Sequence, residues 1–338
     1  MDLQPHMHST DPTTLESAPT AKPFRYNPLV AGGIVLLGAV LFSAKAIMVK
    51  LALPYGIDSV SLLLLRMIFS LPIYVAIVFW IKRIETQQFK TNGLAAVKIG
   101  AYLPKLIGLG VVGYYLASYF DFVGLTYIPA SLERVILYLY PTIVLLISAI
   151  YLKKRISIHQ WIAIALCYLG VWIAIRYGTN ANASVGTTQD GNHWLGVVLI
   201  FLSATTYAIY LVGSGELIPK IGVWIFTCYA MIVSTICISI HFLLTLEIGT
   251  LFSYPPQVYF LGLAMAVFAT VIPSLLISEG IKRIGASNAA IIGGVGPVST
   301  IILASIFLGE SFTVAQLIGT LVVIGGVVYI SVNLKKDG

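Results

Sequence analysis

Charge is what this sequence has least of. Only 10% of its residues are Asp, Glu, Lys or Arg, where a soluble domain carries about a quarter. Apolar residues make up 58% and the mean hydropathy is +0.94. A water-soluble core cannot absorb that much apolar chain, so soluble enzymes, nucleic-acid readers and disordered scaffolds are excluded. Cysteine is equally sparse. Cys167, Cys228 and Cys237 lie singly within apolar runs, a spacing that gives neither a disulfide framework nor a metal set. Histidine offers no site: His6 and His8 sit near the start, and His241 stands alone near the end of an apolar run. The chain has no HExxH and no phosphate-binding GxxxxGK[ST]. The expectation is therefore no metal, no cofactor and no ATP drive.

Long apolar runs are present in their place. A helix crosses the hydrocarbon core with about 20 mostly apolar residues. Ten runs qualify: Leu29–Val49, Val60–Trp80, Leu103–Phe122, Ala130–Tyr151 and Gln160–Arg176, then Trp194–Gly213, Val223–Leu244, Val258–Glu279, Ser287–Leu308 and Val314–Asn333. The runs are continuous rather than alternating, which excludes a β-barrel. The expected architecture is an all-α membrane protein of ten transmembrane helices. Residues 1–28 are rich in Pro, Thr, Ser and His and lack the apolar stretch of a signal peptide; they read as a disordered tail. Residues 177–193 are Gly-, Thr- and Asn-rich and read as a linker between a first unit, 29–176, and a second, 194–334.

The two units repeat. A shift of 156 places sets Gly124–Ile173 on Gly280–Tyr329 without a gap, bringing together Ala130 and Ala286, Pro141 and Pro297, Gln160 and Gln316, and Gly170 and Gly326. Five helices per repeat force the second copy into the membrane upside down. Charge agrees, because cytoplasmic loops collect Lys and Arg. Lys153-Lys154-Arg155 aligns with the acidic Gly309-Glu310-Ser311, whereas neutral Thr126-Tyr127 aligns with Lys282-Arg283. The expectation is two inverted five-helix repeats, with both termini and Lys220 cytoplasmic and Glu310 facing outside. This placement also accounts for the net charge of +7 without an acidic or nucleic-acid partner. Inverted repeats of broken helices around a midplane site are a transporter architecture.

Several strings carry a family resemblance: Ser118–Leu125 running into Ile128–Arg134, Tyr140-Pro141, Ile284–Ser287, Gly296-Pro297 and Leu308-Gly309-Glu310. With the five-plus-five layout they resemble an EamA-type member of the drug/metabolite transporter superfamily. The chain departs from that pattern at Lys153–Arg155, where many members have a glycine and an acid, and in its long N-terminal tail. The resemblance implies a carrier in the bacterial inner membrane, often an exporter of amino acids, metabolites or toxic compounds.

Charges inside membrane spans are costly and mark function by default. Lys45, Arg66, Asp121, Glu133 and Arg134 gather in the outer part of the first repeat. Neighbours on a helix point about 100° apart, so Glu133 and Arg134 each need a partner on another helix. The favoured pairings are Glu133 with Lys45 or Arg66, and Arg134 with Asp121. They act either as fixed staples or with one carboxylate exchanging a proton as access alternates. Glu279 and Arg283, one turn apart, read as an edge pair. Pro141 and Pro297 read as matched kinks, and Gly293-Gly294-Val295-Gly296 as a bend or close-packing segment. Tyr114, Ser118 and Asp121 share one helix face, as do Arg134, Tyr138 and Pro141. Together these give an expected substrate site of Tyr114, Tyr138, Pro141, Gly293, Gly294 and Pro297, with protons as candidate coupling ions. The preferred function is gradient-driven carriage of small metabolites, in the direction of export. An uptake carrier or exchanger would look the same in sequence. A membrane enzyme would need a polar catalytic set that the spans do not show, and a passive structural protein would need no repeat.

Overall fold

Lipid offers the backbone no hydrogen bonds, so an apolar run must satisfy its own amides and carbonyls within a helix. The computed structural model describes residues 28–92, 99–151, 156–178, 192–293, 295–311 and 313–333, and among them there is no strand. The expected tail, the Lys153–Arg155 connection, most of the linker and Gly294 lie outside the described residues. Eight helices are long and apolar enough to cross a membrane, and two shorter apolar ones, Val295–Leu308 and Val314–Tyr329, follow them.

In chain order the helices are α1 (Pro28–Ala52), α2 (Ser59–Asn92), α3 (Leu103–Gly110), α4 (Ala117–Gly124), α5 (Ala130–Leu137), α6 (Tyr140–Tyr151) and α7 (Ile158–Gly178). They continue with α8 (His193–Ile221), α9 (Val223–Thr245), α10 (Pro256–Ala266), α11 (Ile272–Gly293), α12 (Val295–Leu308) and α13 (Val314–Asn333). Two joins within spans are widened, π-type turns, Val111–Leu116 between α3 and α4 and Val267–Val271 between α10 and α11. Their first residues are 156 positions apart, which is the repeat shift. Widened turns of this kind concentrate at functional sites.

Pro141 restarts a helix rather than kinking one. The span Ala130–Tyr151 breaks at Tyr138-Leu139, and Pro141 enters as the second residue of α6. Pro297 lies in α12, three residues beyond Gly294, which is outside the described residues. A proline in the first helical turn removes an amide that has no acceptor there anyway.

The repeat is not kept in every detail. The first half turns sharply between α4 and α5, where Pro129 is extended at φ −61°, ψ 152°. The basic loop expected at Lys282-Arg283 is instead helical, continuous from Ile272 to Gly293. The position matching Pro129 is Gly285. Proline disfavours helix in the residue before it, whereas glycine only weakens a helix.

Packing pairs α7 with α13, α1 with α11 and α12, α2 with α9 and α10, and α8 with α4 and α6. The α7–α13 contact is reciprocal. A Cβ on Gly170 would lie 2.6 Å from the Gly319 carbonyl, and one on Gly326 would lie 3.0 Å from the Ala163 carbonyl. Gly319 is the shifted image of Ala163, and Gly326 of Gly170. Cys167 likewise meets the carbonyl of Val323, its own image, at 3.6 Å. Each of these contacts is thus matched by its counterpart with the two helices exchanged. Small residues let these two backbones approach where lipid supplies no hydrophobic drive.

Candidate functional site

A cavity of about 280 Å³ lies between the halves. Its lining includes the charged cluster of Lys45, Asp121 and Arg134 and extends to Ile218 and Val223 beside the α8–α9 turn. Each half supplies wall. Tyr114 and Ser118 come from the widened turn and α4, and Thr270, Ser274, Gly293 and Pro297 come from the second half. At the widened turn, Gly113 lies against the Tyr210 ring so closely that a Cβ would overlap it. This close approach lets α8 stand against the turn and brings Tyr210 beside Tyr114.

The charges are buried and organised. Lys45 Nζ donates to Asp121 Oδ2 at 2.6 Å and stands 3.7 Å from Glu133 Oε1. Lys45, not Arg134, therefore holds Asp121, against the pairing expected from sequence. The reason is the turn at Pro129, which places α5 beside α4 with the Glu133 and Asp121 carboxyls against each other. Arg134 reaches across to the second half, where Nε donates to Thr300 Oγ1 at 3.1 Å, and within the first half its Nη2 donates to the Phe42 carbonyl at 3.0 Å. Its Nε also comes to 4.0 Å from Glu133 Oε2, a through-space approach without a hydrogen bond. Among the described residues no donor reaches either Glu133 oxygen or Asp121 Oδ1. Glu133 is fully buried, behind the cavity wall rather than in it. Arg66 joins none of these carboxylates in an ion pair; Nη2 donates to Ser118 Oγ at 2.9 Å and the guanidinium lies 4.8 Å over the Phe122 ring.

Opposite the charges runs a row of aromatic rings. Tyr138, Tyr140, Tyr207, Tyr210 and Tyr114 follow one another at centroid distances of 6.0, 5.4, 5.8 and 5.0 Å, and all five line the cavity. Of the residues expected at the substrate site, Tyr114, Tyr138, Gly293 and Pro297 line it, Pro141 does not, and Gly294 is outside the described residues. A Cβ on Gly293 would meet nothing within 4 Å, so this glycine faces open space and is not there for packing.

Sequence reasoning missed one polar cluster. Glu310 is buried, 3% exposed, so the loop that carries it does not show its acid to solvent. Gly309, in the left-handed region at φ 64°, turns the chain so that this carboxylate reaches the start of α5. There it accepts from Ala130 N at 2.9 Å, Ser131 N at 3.2 Å and Ser131 Oγ at 2.7 Å. Gln316 Nε2 adds a bond of 3.1 Å to Ser131 Oγ. The second half thus caps a helix of the first. The signal was available in part: α5 begins without a side-chain cap of its own, and such helix starts look for acceptors elsewhere. The Glu279–Arg283 pair expected from spacing is present at 2.8 Å.

Comparison with known proteins is consistent with this geometry. The model of the EamA-like transporter family matches residues 31–176 and again 194–332. "Uncharacterized transporter YcbK" of Bacillus subtilis (strain 168) is 33% identical, over 90% of this chain and 93% of that protein. "Uncharacterized inner membrane transporter YicL" of Salmonella typhimurium is 24% identical over 61% of this chain and 66% of its own. A crystal structure at 15% identity superposes with a TM-score of 0.59 over 91% of this chain and 98% of that one, a likeness of fold alone. The chain belongs to the EamA-like transporter family and is a multi-pass membrane transporter.

Proposed function

We propose that the protein is a secondary active carrier of small metabolites in the bacterial inner membrane, exporting amino acids or related compounds at the expense of a proton gradient. Its frame is ten spans in two inverted repeats, 29–176 and 194–334, with both termini cytoplasmic. The reciprocal Gly170–Gly319 and Ala163–Gly326 contacts support the two-fold relation, as do the widened turns one repeat shift apart. The cavity reaches the turn that carries Lys220, on the side that gathers basic residues. It stops at the charge cluster, beyond which Glu310 ties the halves together. In this reading the carrier is open inward and latched outward.

One observation carries the coupling: two carboxyls, Asp121 and Glu133, are buried against each other and share a single ammonium, Lys45. Neither ionised carboxylate can donate to the other, so a proton between them completes a hydrogen bond that is otherwise missing. Arg134, the other charge facing Glu133, is anchored to Thr300 on α12 and to Phe42 on α1. Relative movement of the halves changes the field at Glu133, and the field sets when the proton binds and leaves. The remaining polar groups of the cavity are chiefly Tyr, Ser and Thr hydroxyls, equipment for binding rather than bond making.

Glu133→Gln keeps the shape and removes the titrating group. In sealed vesicles this variant should still exchange substrate across the membrane while losing accumulation driven by an imposed pH gradient. Gradient-driven accumulation at the wild-type level would remove Glu133 from the coupling step. Loss of protein and exchange together would make it a structural staple.

A further inference from the structure

The charges around the cavity do not balance. Lys45, Arg66 and Arg134 are three buried cations, and Asp121 and Glu133 are the two carboxylates among them. Lys45 is held by Asp121, and Arg134 lies beside Glu133. Arg66 is the cation left over. It is 5% exposed, its Nε has no hydrogen-bond partner among the described residues, and it lines the cavity. The Ser118 hydroxyl and the Phe122 ring face orient the guanidinium, and Asp121, already paired with Lys45, attracts it only through space. A buried charge without an ion-pair partner of its own is costly, and at a cavity wall the missing counter-ion is one that can come and go.

From this geometry we infer that the carrier's substrate is a small organic monoanion, a carboxylate on a ring-bearing apolar body, with its carboxylate held by Arg66 and its body on the tyrosine row. The inference rests on the carrier reading above and, within its substrate class, takes the related compounds that carry a carboxylate without an ammonium in place of the amino acids themselves. Guanidinium and carboxylate match in planar, two-bonded geometry, and a single negative charge balances the cluster in the state where Asp121 and Glu133 have given up the proton between them. An amino-acid zwitterion would bring no net charge and leave the excess cation in place. A cation would add to it. The volume of about 280 Å³ holds about nine water molecules at ~30 Å³ each, the room of one compact metabolite. The five rings provide flat apolar surface, and aromatic pairs of this kind favour edge and offset contacts with another ring. An inside-negative membrane potential also drives an anion outward, the direction proposed for this carrier.

Three probes share one body and differ in charge: phenyllactate, phenylalanine and phenethylamine. Thermal unfolding of the detergent-purified, full-length carrier would be followed with each at millimolar concentration. Phenyllactate should raise the melting temperature, and the other two should leave it unchanged. Arg66→Lys keeps the charge and the fold but loses the two-bonded fit, and should weaken phenyllactate binding by about tenfold. Arg66→Gln should abolish it. If Arg66→Gln does not accumulate, the lysine variant still decides the matter. Equal or greater stabilisation by phenylalanine or phenethylamine, unaltered phenyllactate binding to Arg66→Lys, or no response to any of the three would each overturn the assignment. The assay contains no membrane gradient, so it is separate from the test of proton coupling. A carrier that binds phenyllactate through Arg66 yet ignores pH keeps this inference and loses that one.

Discussion

Glu310 makes a prediction that sequence position alone would have reversed. From its loop it looks like a dispensable surface acid, yet it accepts three hydrogen bonds from the start of α5. Replacing it by Ala strips a charged acceptor from two backbone amides and a hydroxyl, in a place with little water to take over. A lost helix cap alone costs about 0.5–2 kcal/mol, and a hydrogen bond to a charged group about 1.5–3 kcal/mol. Because the three bonds share one carboxylate they do not add, and a total of about 3–5 kcal/mol is expected. A second effect compounds the first. Lys50 is fully buried, its ammonium has no hydrogen-bond partner among the described residues, and Glu310 is the carboxylate whose field it feels. Glu310→Gln, which keeps one acceptor oxygen but no charge, should therefore still cost about 2–3 kcal/mol. At roughly 2 °C per kcal/mol for a chain of this size, the alanine variant should melt about 6–10 °C lower in detergent. Lys50→Met in the Glu310→Gln background should recover part of the loss, because it removes the cation left behind, giving a coupling of about 1–2 kcal/mol in a double-mutant cycle. Glu279→Gln removes a partly exposed pair and serves as control, with a cost of about 0–1 kcal/mol. A melting point for Glu310→Ala within one or two degrees of wild type would refute the cap, and additive Lys50 and Glu310 effects would refute the link between them.

Gly170→Leu should lower the yield of folded protein, since its Cβ already collides with the Gly319 carbonyl and overpacking costs about 1–3 kcal/mol; Gly33→Leu, on an open face, should be neutral in the same size-exclusion assay. Gly293→Leu should leave folding intact and cut substrate exchange by about tenfold or more, because the new side chain projects from a position with nothing within 4 Å at the cavity wall; normal exchange would remove Gly293 from the path. For topology, a cysteine at exposed Ser311 should be labelled from outside the cell and one at exposed Lys220 should be protected; the opposite pattern would invert the orientation. Lys45→Met should cost stability by about 3–5 kcal/mol, since it leaves Asp121 buried without its ammonium, and Lys45→Met with Asp121→Leu should regain much of it. A double variant as unstable as the single one would show that Lys45 does more than hold Asp121.

Membrane class, helix content and the repeat were legible in the chain because they depend on averages and spacings. Apolar runs of sufficient length must be helices in lipid wherever they end up, and a shift of 156 places is visible without any contact. Intramembrane charges were legible as a set for the same reason, since each is expensive whatever its partner. The partners themselves were decided in three dimensions. Proline at 129 and glycine at 285 make one half turn where the other stays helical, so the halves present different faces from similar sequences. That turn sets Glu133 against Asp121, gives Lys45 to Asp121, and sends Arg134 to Thr300. Helical spacing knows only neighbours on the same helix, so it could not choose among three cations on three other segments. The partners of Glu310 were hidden on the same ground: nothing in a loop sequence shows that the left-handed Gly309 turns this residue onto a helix start 180 residues away. Periodicity along the chain determined what this protein is made of, and packing across it decided which buried charges pair.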